Sequence, residues 1–94
     1  MMPILNKENR SVEKEGREIS LTPKEYEILE FLTEHPNRIF PAEEIYREVW
    51  EQEPFQIKGM MAVHLHNLRE KIENNPSRPV HLRSFRGKGY VFVK

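Results

Sequence analysis

Met60, Val63 and Asn67 recur at helical spacing within a segment that reads as one helix, from about Ile57 to Glu73. At 100° per residue they share a face with Glu70, opposite a core stripe of Met61, Leu65, Leu68 and Ile72. A solvated face normally carries Lys and Glu, and Val63 and Met60 gain nothing from water. A carboxamide donates and accepts in one plane, which suits the exposed edge of adenine, and a valine suits a thymine methyl. The face thus has the chemistry of a helix lying in a DNA major groove. His64 and Lys71 stand on one flank and His66 on the other. The competing reading packs Val63 beneath a neighbouring loop and leaves Asn67 an ordinary surface residue, and the helix alone leaves both open.

A second constellation follows in the chain. Arg83, Arg86, Lys88 and Lys94 form a basic stretch with no acid among them. Arg86-Gly87-Lys88-Gly89 reads as a hairpin tip between a strand around Val80 and Leu82 and another over Tyr90–Val93. Cations on such a tip bind phosphate oxygens or enter a minor groove. The bland alternative is a solubilising turn. A basic hairpin directly after a helical unit is more specific than either part alone.

The formal net charge is zero, but it is unevenly spread. Residues 1–55 hold seven Lys/Arg and thirteen Asp/Glu, a balance of −6; residues 56–94 hold eight and two, a balance of +6. Such asymmetry suggests that the C-terminal part faces an anion while the rest avoids it.

These residues need a scaffold. Ninety-four residues suit a single core, so a single domain over 1–94 is expected. Pro3-Ile4-Leu5, Arg10–Glu13 and Glu18–Leu21 read as short strands, the last two flanking a turn with Gly16. Thr22, Pro23 and Glu25 write a capping box, and Ile28, Leu29 and Leu32 give the first helix its apolar stripe until Pro36-Asn37. A second helix spans about Ala42 to Trp50, with Ile45 and Val49 inward and Tyr46 and Trp50 beside them. Asn74-Asn75-Pro76 ends the third helix.

Other chemistry is poorly supported. The chain has no cysteine, hence no disulfide and no thiolate metal site. His64-x-His66 puts two imidazoles on different sides of a helix, a poor metal pair. Glu43-Glu44 is more simply a charged first turn. No nucleophile with its base is recognisable, so no enzyme, metal or cofactor is expected. No apolar run is long enough to span a membrane and no signal-peptide pattern is present, so a cytoplasmic location is the expectation.

The motifs also resemble a known family, the effector domain of OmpR/PhoB-type response regulators. Leu21-Thr22-Pro23-Lys24-Glu25-Tyr26-Glu27-Ile28-Leu29 resembles its first-helix opening, and Arg38-Ile39-Phe40, Ile45 and Val49-Trp50 its second-helix region. Val63-His64-Leu65 and Leu68-Arg69-Glu70-Lys71 resemble its recognition helix, and Phe85-Arg86-Gly87-Lys88-Gly89-Tyr90 its wing. The resemblance implies an α+β winged helix-turn-helix with N-terminal antiparallel strands, three helices and a C-terminal hairpin wing. It implies double-stranded DNA as partner, bound as direct repeats by tandem copies, with Met60, Val63 and Asn67 facing bases. His64, Arg69 and Lys71 would contact the backbone, Ser84 would lie near a phosphate, and Arg86 would enter the minor groove. The loop Glu51-Gln52-Glu53-Pro54-Phe55-Gln56 would touch RNA polymerase. A receiver domain answering to a histidine kinase normally precedes this module and is absent from this chain. The family sheet usually has four N-terminal strands, and about three fit before Thr22. The alternative function is a winged-helix protein-interaction module without sequence-specific DNA binding.

Overall fold

The computed structural model describes residues 3–94. The strands β1 (Ile4–Asn6), β2 (Ser11–Lys14) and β3 (Arg17–Ser20) precede the helices α1 (Pro23–Glu34), α2 (Ala42–Trp50) and α3 (Lys58–Ile72). The strands β4 (Leu82–Phe85) and β5 (Gly89–Phe92) close the chain. The first three strands make an antiparallel sheet in the order β1-β2-β3, and β4-β5 is an antiparallel hairpin. This is the winged helix-turn-helix order, with three N-terminal strands.

Local chemistry explains most boundaries. Thr22 Oγ1 accepts from the Glu25 N–H at 3.2 Å while Glu25 Oε1 accepts from the Thr22 N–H at 2.9 Å, a complete capping box. Pro41 offers α2 no side-chain cap, and Glu43 and Glu44 supply negative charge to its exposed N–H groups instead. At the other end of α2, Glu51 adopts a left-handed conformation, φ 55°, and its N–H bonds Arg47 O. Ile57 and Glu73 prove to be the caps of α3 and not its ends. Val80 lies outside β4, because its N–H is taken by a Glu73 carboxylate oxygen and not by a strand partner.

The helices pack around one core. Ile28, Leu29 and Leu32 of α1 meet Ile45 and Val49 of α2 and Met61, Leu65, Leu68 and Ile72 of α3, with Val12, Leu82 and Phe92 from the strands. Phe40, in the α1–α2 link, is buried in this core with its ring 4.7 Å from that of Phe31. Its backbone also exchanges two hydrogen bonds with Tyr90, at 2.8 and 2.9 Å, and adds a strand-like rung to the hairpin. The sequence pattern had not shown this rung, since one isolated residue carries no alternation. Among the described residues, no helix is long and apolar enough to cross a membrane.

Candidate nucleic-acid interface

Helix α3 buries Met61, Leu65, Leu68 and Ile72, which turns the opposite side to solvent. Val63 is 58% exposed there, so no loop covers it. Asn67 and Glu70 are exposed beside it, with Ala62 and His66. Two expected members sit lower. Met60 is half-buried against the core, and His64 is half-buried with its ring 5.4 Å from Trp50, edge to face. Trp50 in turn stacks on Tyr46 at 4.9 Å, and Lys24 Nζ lies 5.3 Å from the Trp50 ring centre.

The wing is anchored at its base and free at its tip. Ser84, Arg86 and Lys88 are all exposed, and among the described residues Arg86 and Lys88 join no ion pair. The tip closes with the Lys88 N–H on Phe85 O at 2.9 Å around Gly87, φ +77°. Gly89 opens β5 and has a different task from the expected turn. A Cβ there would stand 2.0 Å from Phe40 O, so only glycine lets the wing approach the α1–α2 link.

Helix and wing share a border. Lys58, in the first turn of α3, lines a groove of about 270 Å³ with Ser84, Arg86 and Lys88 of the wing and Pro41–Glu43 at the start of α2. Lys58 was not among the expected site residues. Its signal was visible, however: a lysine on the α3 flank that also carries Ala62 and Arg69, the flank toward the wing.

Arg69 and Lys71 depart from expectation: their cationic heads are engaged inside the domain. Arg69 Nε donates to Leu82 O at 2.8 Å, and burial pushes its guanidinium below its ordinary pKa while Tyr90 and Glu73 nearby oppose that shift. Lys71 Nζ donates to the Glu25 carboxylate, itself only 3% exposed. Both flank the core stripe closely enough to reach neighbouring elements, and a neighbouring carboxylate or carbonyl outcompetes water for a cation already half-desolvated.

The loop 51–56 is braced at its start and open at its end. Tyr46 Oη donates to Gln52 Oε1 at 3.2 Å, and Arg47 Nε lies 3.7 Å from Glu53 Oε1. Pro54 is half-buried, while Phe55 is 81% exposed, the largest exposure of any described large hydrophobic residue. Among the described residues, no group of His, Cys, Asp and Glu is placed to hold a metal ion.

Residues 16–92 match the family described as transcriptional regulatory protein, C terminal. The chain is 40% identical over 83 residues to the transcriptional regulatory protein YcbL of Bacillus subtilis, covering 88% of this chain and 37% of that protein. The response regulator DrrB of Thermotoga maritima, an OmpR/PhoB homologue, superposes with a TM-score of 0.79 at 30% identity over 89% of this chain and 38% of that one. The DNA-binding domain of RstA from Klebsiella pneumoniae, solved in complex with its RstA box, superposes with a TM-score of 0.85 over 97% of this chain and 90% of that one. At 22% identity it speaks to the fold alone. The chain therefore spans little more than a third of the length of YcbL and DrrB.

Proposed function

The chain belongs to the family of C-terminal domains of transcriptional regulatory proteins, of the OmpR/PhoB effector type, and from that premise we propose how it reads DNA. Helix α3 enters the major groove of a duplex, Val63 and Asn67 meet base edges, and Met60 borders them. Lys58, Ser84, Arg86 and Lys88 hold the flanking backbone, with Arg86 reaching the adjacent minor groove. His64 contacts a phosphate from the Trp50 side. Arg69 and Lys71 are left out of this set, since their heads are already committed.

One observation carries the reading. Helix α3 exposes an apolar and amide face, and Lys58 in its first turn shares a groove with the cationic tip of the wing. A helix face for bases beside a cationic arm for phosphates is the division of labour that sequence-specific binding requires. The +6 balance of residues 56–94 supplies the attraction, and the −6 balance of residues 1–55 keeps the remaining surface off the polyanion.

The same premise extends to the assembled regulator. The module acts in the cytoplasm as the output domain of a two-component response regulator, behind a receiver that a histidine kinase phosphorylates. Tandem copies occupy direct repeats. The loop 51–56 presents Phe55 to RNA polymerase: an aromatic side chain 81% exposed on a braced loop is better matched to a protein partner than to water. Selection of bound duplexes from a random pool tests the proposal. A recurring motif, relaxed at one position by Asn67→Ala and unchanged with Phe55→Ala, is the expected result; an unenriched pool would favour a pure protein-interaction module.

A further inference from the structure

Glu73 is a carboxylate only 6% exposed, placed at the C-cap of α3. Its Oε1 accepts the N–H of Val80 at 2.9 Å, and its Oε2 accepts those of His81 at 2.9 Å and Leu82 at 2.7 Å. One turn earlier, Arg69 donates to the carbonyl of the same Leu82. Both backbone groups of Leu82, the first residue of β4, are therefore held by the last turn of α3. Arg69 Nη2 is buried and finds no acceptor among the described residues, so the guanidinium is held in the seam without satisfying all its donors.

We propose that Arg69 and Glu73 are positioning residues that clamp the root of the wing to the recognition helix and so set where Arg86 falls relative to Asn67. This inference rests on the DNA-reading role proposed above for those two side chains. The wing has another tie, the Phe40 rung on β5, but that rung fixes it to the α1–α2 link and not to α3. Among the described residues, only the clamp joins the β4 backbone by hydrogen bonds to the helix that reads bases.

Leverage makes the clamp matter. Arg86 is four residues beyond Leu82, roughly 13 Å along an extended strand. A swing of about 10° at Leu82 would then carry the tip by roughly 2 Å, several times the tolerance of a hydrogen bond. A charged carboxylate taking three N–H groups resists such a swing far better than apolar packing, which tolerates sliding.

The absence of cysteine makes the geometry measurable with paired nitroxide labels on introduced cysteines. Glu70→Cys with Lys88→Cys reports the separation of α3 and wing, and Glu34→Cys with Glu70→Cys reports the helical body. Glu73→Gln should broaden the first separation and leave the second unchanged. Arg69→Met should do the same more weakly, and it serves if Glu73→Gln does not fold. On a mixed-sequence duplex, Arg86→Ala should weaken binding about tenfold in the otherwise native chain and about twofold or less beside Glu73→Gln. An unchanged α3–wing separation in both variants overturns the clamp. So does equal broadening of both label pairs, which would mean general loosening, and so does an Arg86→Ala penalty that ignores Glu73. If the native chain binds no duplex, the DNA reading fails, while the label pairs still decide whether the clamp sets the wing.

Discussion

Gly89 and Phe40 meet backbone to backbone: a Cβ on Gly89 would lie 2.0 Å from Phe40 O and 2.5 Å from Phe40 C, and Gly89 already stands at φ +137°. Gly87, two residues away at φ +77°, has open space around it. The two glycines of the wing motif therefore do different work, one letting the hairpin approach the core and the other turning its tip.

Alanine separates them. Gly87→Ala should cost about 1–2 kcal/mol, the penalty of a left-handed residue with no clash. Gly89→Ala should cost roughly 3 kcal/mol or more, since strain is joined by the displacement of the Phe40 rung. Urea unfolding of the two variants measures the difference, and equal losses would show that the rung yields easily.

Glu25 links acid stability to the core. Burial alone would raise its pKa, but the hydrogen bond and charge of Lys71 and the N–H and hydroxyl of Thr22 outweigh burial and hold it below the ordinary glutamate value. A depressed folded-state pKa stabilises the fold above the unfolded value and loses that stabilisation as pH falls through the folded one. Stability should therefore fall as pH drops below about 4.5, and Glu25→Gln should flatten that decline while lowering stability near neutrality by about 2–3 kcal/mol. Thermal melting across the acid range checks both; an unaltered acid profile in Glu25→Gln would place the titration elsewhere.

The surface cations should divide by position, not by charge. Lys58→Ala should weaken duplex binding by about 1 kcal/mol and leave the melting temperature nearly unchanged. Lys71→Ala should do the reverse, because it strands the buried Glu25 carboxylate. Anisotropy titrations paired with melts read both quantities, and a DNA defect confined to Lys71→Ala would reverse the assignment.

Much of this was legible in the residues. Thr22 and Glu25 announce the start of α1, the Met61–Ile72 stripe fixes which side of α3 faces out, and the Arg86–Gly89 stretch marks a wing. What escaped is long-range. Nothing local tells that Phe40 pairs with Tyr90, that Arg69 reaches Leu82 thirteen positions away, or that Lys71 crosses to Glu25, forty-six positions away. Helical periodicity places a side chain on a flank but not against its partner, so Arg69 and Lys71 read as free cations beside a groove. Glu73 escaped for the same reason: three N–H groups gathered by a turn are invisible in a string of letters.

The central claim is that α3 reads bases while the wing holds phosphate, and the salt dependence of binding measures both at once. The affinity of the native chain, Asn67→Ala and Arg86→Ala is compared across salt on a selected duplex and on a scrambled one. Three to five phosphate contacts predict a log–log slope of roughly −3 to −4.5 for the native chain. Arg86→Ala should flatten the slope by about one unit on both duplexes. Asn67→Ala should leave the slope alone and cost about 1–3 kcal/mol on the selected duplex only. A native slope near zero, or an Asn67→Ala loss equal on both duplexes, would contradict the account.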